Sequence, residues 1–145
     1  MARTIFINLP ATDVAASTAF YQRLGFTKEP NFSNEQASMM VWSDEIRVMI
    51  LANEFYSTFT SKPIADSHRS SQVLLCLSAD SKAGVDQMVA TAEAAGGRPD
   101  PGPKQEMGEM MYGRSFEDPD GHHWEVGWMN MDAMQAGQPA EPVEA

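Results

Sequence analysis

Apolar and polar positions along this chain fall into two successive segments with one layout. The first is an apolar run, Ile5-Phe-Ile-Asn-Leu-Pro-Ala-Thr-Asp13, followed by a helical pattern that ends at Gly25. The second is Val73-Leu-Leu-Cys-Leu-Ser-Ala-Asp80, followed by a longer helical pattern that ends at Gly96. In the first helix Ala16, Phe20 and Leu24 recur a turn apart with Tyr21 beside them; in the second, Val85, Met88, Val89, Ala92 and Ala95 do the same. Each helix therefore presents one apolar stripe to a core. Asp13 and Asp80 suit N-caps, because a short carboxylate accepts from the free amides of the first turn. Gly25 and Gly96 suit the positions just past the helix ends.

A pair of strands follows each helix. Residues 38–43 and 46–51 form a hairpin through Asp44-Glu45, and residues 110–116 and 122–128 form another through Asp118-Pro119-Asp120-Gly121. In that second turn Pro fixes φ and Gly accepts the closing conformation. Further short strands are expected near Phe26-Thr27-Lys28 and Gly97-Arg98. The pattern predicts an α+β protein of two modules, 3–53 and 72–129, joined by a polar connector at 54–71. Together they form one domain over 1–129, and the acidic, Pro-containing segment 130–145 is expected to be a disordered tail. The Gly102 to Gly108 stretch is expected to be a loop, with Met107 to Met111 as a lid. Cys76, among leucines, is expected in the core.

Ten Lys plus Arg against 20 Asp plus Glu give a net charge of -10, which disfavours nucleic acid and anionic membrane surfaces as partners and suits a neutral or cationic small molecule. The same charge also serves solubility alone. A lone cysteine allows no internal disulfide, and no apolar run approaches the ~20 residues of a membrane span, so a cytoplasmic location is expected. The sequence has no Gly-x-Gly-x-x-Gly, P-loop, Cys-x-x-Cys or Gly-x-Ser-x-Gly motif.

The duplicated unit, with Asp13, Phe20, Tyr21, Leu24, Gly25 and Phe26 in the first half and Phe116, Asp118, Pro119, Asp120, Gly121 and Glu125 in the second, resembles the vicinal oxygen chelate superfamily. That superfamily includes glyoxalase I, extradiol dioxygenases, fosfomycin-resistance enzymes and bleomycin-binding proteins. The resemblance, over roughly residues 3–129, implies βαβββ modules curled into a cup-shaped mixed sheet around one cavity, often completed by a homodimer partner. Metal-dependent members draw ligands from the first and last strands of each module. Carried onto this sequence, those positions are Phe6, Ile50, Leu74 and Glu125. Phe, Ile and Leu have no donor atoms, whereas a catalytic metal takes about three protein ligands. A register error of one residue would substitute Ile5 or Ile7, Met49 or Leu51, and Val73 or Leu75, and none of these restores the donor set.

Alternation puts His123 and Glu125 on one strand face and His122, Trp124 and Val126 on the other, so at most one of the two histidines enters a pocket. Asn8 and Gln72 lie two residues from Phe6 and Leu74, so Asn8, Gln72, His123 and Glu125 form a candidate polar layer. That layer either holds a displaced Zn, Ni, Mn or Fe ion or hydrogen-bonds a ligand. In an apolar cavity, desolvation would disfavour the Glu125 charge and fit it as a general base; alternatively it pairs with Arg47 or Arg114. Trp42 and Met110 are candidate apolar lining for the ligand, alongside Trp128, Tyr112 and many of the 11 methionines, although aromatic residues of this kind more often belong to the core. His68 is expected in solvent on the connector. The reading favoured is a glyoxalase-like protein that binds a small organic ligand without a cofactor. The alternative is a metal-dependent lyase or dioxygenase of the glyoxalase I or extradiol type, with Glu125 as ligand or base; a relative whose cavity has closed is the third.

Overall fold

The computed structural model describes residues 2–132, and most of the expected tail lies outside the described residues. In the first module β1 (Ile5–Ala11) and α1 (Val14–Leu24) are followed by β2 (Thr27–Glu29), β3 (Ala37–Val41) and β4 (Ile46–Ala52). They form a sheet of order β1-β4-β3-β2, parallel at β1/β4 and antiparallel elsewhere. A single helical turn, α2 (Asn53–Tyr56), opens the connector. The second module repeats the plan with β5 (Leu75–Ser78), α3 (Lys82–Ala94), β6 (Arg98–Pro99), β7 (Gln105–Glu106), β8 (Met111–Glu117) and β9 (His123–Met129). Its order is β5-β9-β8-β6, again with the outer pair β5/β9 parallel. The architecture is therefore α+β, with one sheet of four strands and one of five.

The added strand is β7, which pairs with β8 where the sequence suggested only a loop. The expected lid at Met107 to Met111 holds the turn of this hairpin and the first residue of β8, the turn closed by the Met110 amide donating to the Met107 carbonyl at 2.9 Å.

Local chemistry fixes the helix ends. Asp13 accepts from the Ala16 amide at 3.0 Å, and Gly25 takes φ 113, a left-handed value open to glycine. At the second helix the cap is Ser81, accepting from the Gly84 amide at 3.0 Å, and not Asp80. The helix starts one residue later than the Asp-to-Asp analogy implied. The Asp118-Pro119-Asp120-Gly121 turn forms as read, with the Gly121 amide donating to the Asp118 carbonyl at 2.9 Å. Gly121 has φ 85, and a Cβ there would lie 2.7 Å from the His68 amide nitrogen, so this turn also seats the connector.

The core lies between the helices and the helix-facing sides of both sheets: Leu9, Phe20, Tyr21, Val48, Ile50, Val85, Val89, Phe116 and Trp124 are all buried in it. Phe116 and Trp124 stack with centroids 6.5 Å apart, and Tyr21 meets Trp124 edge-on at 5.9 Å. One buried polar chain crosses between modules. Trp124 Nε1 donates to the Tyr21 hydroxyl at 2.9 Å, which donates to Asp118 Oδ2 at 2.6 Å, while Asp118 Oδ1 accepts from the Asp120 and His122 amides. Burial, and secondarily the Asp118 carboxylate, push the Tyr21 hydroxyl well above its ordinary range. Burial also raises Asp118 itself.

Candidate functional site

Strand register decides which side chains reach the sheet faces turned away from the helices. In β9, Trp124 and Val126 are buried against the helices, so His123 and Glu125 project from the opposite face. Parallel pairing sets Cys76 beside Glu125, and antiparallel pairing with β8 sets Ser115 beside Glu125 and Glu117 beside His123. The His123 ring nitrogen Nε2 is 3.8 Å from Glu125 Oε2, too long for a hydrogen bond. That nitrogen is sealed from solvent and has no hydrogen-bond partner. The Glu125 side chain is 37% exposed, so water still reaches it.

Cys76 is exposed on this face and is not a core residue. Leu75 and Leu77 turn inward on either side of it, a period hidden in the sequence because every neighbour is apolar. Burial raises the Cys76 thiol above its ordinary range, and the nearby Glu125 charge raises it further. Arg114 and Arg47 do not pair with Glu125. Arg114 leaves the helix-facing side of β8 to bind Asp86 and Asp100, and Arg47 donates to the Asp44 carbonyl.

The remaining candidates scatter. Phe6 and Leu74 are 51% and 53% exposed. Ile50 is 0% exposed and belongs to the core, which corrects its assignment to the cavity. Register pairs Asn8 with Met49, so Met49 occupies on β4 the place that Glu125 occupies on β9. Phe6 lies seven positions before its cap Asp13 and Leu74 seven before its cap Ser81, which makes those two positions equivalent. Trp42 packs on Phe26 with centroids 4.8 Å apart and against the core, so it does not line the ligand face. Met110 is held at the hairpin turn, its carbonyl accepting from Asn130 at 2.8 Å.

The four-residue polar layer does not assemble within one chain. Asn8 lines a hollow of about 240 Å³ with Leu51, Tyr56, Phe59 and Thr60. Gln72 and His123 share a different cleft of about 290 Å³ with Leu9, His68, Leu75 and Pro101. His68 stays exposed as expected, yet it borders that cleft. Ser115 was not singled out from the sequence. Counting the hairpin register outward from the Asp-Pro-Asp-Gly turn would have placed it opposite Glu125.

The family model of the Glyoxalase/Bleomycin resistance protein/Dioxygenase superfamily matches residues 4–126. The chain belongs to that superfamily. Among solved glyoxalase-superfamily structures, the fold is similar to a glyoxalase/bleomycin resistance protein/dioxygenase family enzyme from Burkholderia phytofirmans PsJN, at 22% identity and TM-score 0.74, covering 89% of this chain and 100% of that chain. It is also similar to a lactoylglutathione lyase from Agrobacterium tumefaciens, at 23% identity and TM-score 0.64, covering 88% and 94%. A third is the fosfomycin resistance protein FosX from Mesorhizobium loti, at 12% identity and TM-score 0.65, covering 93% and 98%. No curated protein matches the chain. At the positions the resemblance gives for metal ligands, with Met49 in place of the buried Ile50, stand Phe6, Met49, Leu74 and Glu125. One carboxylate, one thioether and two hydrocarbons do not fit a hard divalent metal. Among the described residues no helix is long and apolar enough to cross a membrane.

Proposed function

We propose that this protein binds a small organic molecule on the concave face of its second sheet, with Glu125 and His123 as the polar anchor and no catalytic metal. The observation that carries this reading is the gap of 3.8 Å between His123 Nε2 and Glu125 Oε2, beside an unpartnered ring nitrogen. A ligand hydroxyl, amine or amide placed there would satisfy both groups at once. The net charge of -10 and the Glu125 carboxylate favour a neutral or cationic ligand over an anion.

Apolar surface surrounds these groups. Phe6, Leu74 and Met129 are exposed on the same sides of the sheets as Asn8, Cys76 and Glu125. A second copy of the chain covering them would complete the cup, so the working form is a homodimer with the ligand enclosed. The free thiol suits a reducing, cytoplasmic setting.

A metal-dependent lyase or dioxygenase is the rival reading, and the adjacency of His123 and Glu125, two metal-competent donors, is what favours it. Calorimetric titration with Ni, Zn, Mn and Fe(II) separates the two. The binding reading expects no stoichiometric ion. It also expects a thermal-shift screen of small amines, amides and alcohols to find stabilisers whose effect falls at least about tenfold in affinity in Glu125→Gln, as for loss of a charge-assisted hydrogen bond. One ion per chain, lost in Glu125→Ala, overturns it in favour of the enzyme.

A further inference from the structure

We propose that residues 100–102 form a strap that closes over His123, and that Arg114, from the other side of the sheet, is the positioning residue that holds the strap shut. The inference rests on the ligand-binding reading above, because it concerns access to the same histidine.

Arg114 sits on β8 between Gly113 and Ser115, in register with Val126, and therefore on the helix-facing side. Its guanidinium grips Asp100 with a two-pronged fork, Nε to Oδ1 at 3.0 Å and Nη2 to Oδ2 at 2.6 Å. The remaining Nη1 donates to Asp86 Oδ1 at 3.0 Å, an oxygen that also accepts from the Tyr112 hydroxyl at 2.6 Å. The arginine is thus braced from α3 while it holds the strap. Asp100 has φ 50, a left-handed value that aspartate tolerates better than most side chains. This bend lets the chain turn from the sheet edge across to the ligand side.

There the strap meets the site. The Asp100 amide donates to the Ser115 carbonyl at 2.8 Å, and the Gly102 amide donates to Ser115 Oγ at 3.1 Å. Pro101 lines the cleft next to His123, and a Cβ on Gly102 would lie 3.6 Å from His123 Cε1 and 4.0 Å from Nε2. The strap therefore lies against the imidazole whose Nε2 is sealed and unpartnered. Closure leaves that nitrogen unsatisfied, and opening would hydrate it. The Arg114 fork and the two bonds to Ser115 oppose that opening. A ligand that engages Nε2 displaces the strap or passes beneath it, so the fork sets how readily the pocket admits its ligand.

The test needs no ligand. Diethyl pyrocarbonate modifies accessible imidazole nitrogens, and peptide mass spectrometry reports the rate at each histidine of the intact protein. In the wild type His123 should react at least about tenfold more slowly than exposed His68. Arg114→Leu should raise the His123 rate about tenfold, the scale expected for losing charge-assisted bonds, with Arg114→Lys intermediate. The rate at His122, whose Nε2 is bonded to the Pro10 carbonyl at 2.8 Å, should stay constant. Should Arg114→Leu fail to fold, Asp100→Asn removes the charge while keeping a residue that accepts the left-handed bend. A wild-type His123 as reactive as His68, or a His123 rate unmoved in folded Asp100→Asn, overturns the proposal. Either result leaves the ligand screen and its Glu125→Gln control to stand or fall separately.

Discussion

On the first sheet Asn8 of β1 sits in register with Met49 of β4; at the same place on the second sheet Cys76 of β5 sits beside Glu125 of β9. Around these pairs the frames are alike: a capped helix, a glycine of positive φ past its end, and a parallel outer strand pair. What differs is the outward chemistry. The first face offers an amide, a thioether, Phe6 and Leu51, whereas the second offers a carboxylate, an imidazole, a thiol and the Ser115 hydroxyl. Inward-facing residues build the fold in both halves, whereas Phe6, Asn8 and Cys76 on the outward faces stay exposed and carry little of the packing. Polar chemistry is consequently gathered on the second sheet.

The largest expected effect comes from mistaking one face of β4 for the other. Ile50→Glu places an uncompensated charge in the core and should cost about 3–5 kcal/mol, or prevent folding. Met49→Glu, one residue away on the ligand side, should cost less than about 1 kcal/mol. Urea denaturation compares them directly, and equal costs would mean that the two faces of β4 are not distinguished as described. In the folded Met49→Glu protein the first sheet would gain the carboxylate that the second already has.

A smaller effect is expected where the halves join. Asp118→Asn presents an NH₂ to a Tyr21 hydroxyl that already accepts from Trp124, leaving the hydroxyl proton without an acceptor. The cost should be about 1–3 kcal/mol for the buried unsatisfied donor, with affinity at Glu125 unchanged. A neutral result would mean that the Tyr21 hydroxyl does not depend on Asp118 as its acceptor.

How much of this was legible follows from which residues carry a period. Asp13, Gly25 and the Asp118-Pro119-Asp120-Gly121 turn announce themselves, because caps and turns are local chemistry. Trp124 and Glu125 were placed on opposite faces because apolar and polar residues alternate there. Apart from Arg47, Ile46-Arg-Val-Met-Ile-Leu51 and Val73-Leu-Leu-Cys-Leu77 are apolar on both faces, so alternation says little and Ile50 and Cys76 fall on the side opposite to the one expected. Trp42 is open to either reading in the sequence, because an aromatic residue near a hairpin looks the same whether it faces a ligand or Phe26. The strap depends on Arg114 reaching Asp100, a contact that no local pattern encodes.

Acid separates the strap's electrostatics from the rest of the fold. Hydrogen bonding to Arg114 holds the Asp100 carboxyl below its ordinary range, and the Tyr112 hydroxyl followed by Arg114 does the same for Asp86. Groups with a lowered folded value add stability above the unfolded value, near about pH 4, and lose it as pH falls through the folded value. Asp118 runs the other way, since burial raises it, but its contribution is common to wild type and Arg114→Leu and cancels in their difference. The stability gap between those two proteins should therefore be wider at about pH 6 than at about pH 3. A gap independent of pH would mean that Arg114 acts through packing alone.

The finest probe of the second sheet's polar face is the thiol. Burial raises Cys76 first and the Glu125 charge raises it second, so Glu125→Gln should move the thiol part of the way back down, leaving the share due to burial. Alkylation by iodoacetamide, followed against pH, reads this as a midpoint displaced to lower pH in the variant. Stability should change by no more than about 0.5 kcal/mol, because the Glu125 carboxylate is partly exposed and its 3.8 Å approach to the His123 ring is too long for a hydrogen bond. An unmoved midpoint would separate Cys76 from Glu125 electrostatically and leave the anchor to Glu125 and His123 alone. A midpoint that falls as expected makes the exposed thiol a reporter of whatever ligand neutralises Glu125, since binding a cation there should shift it in the same direction.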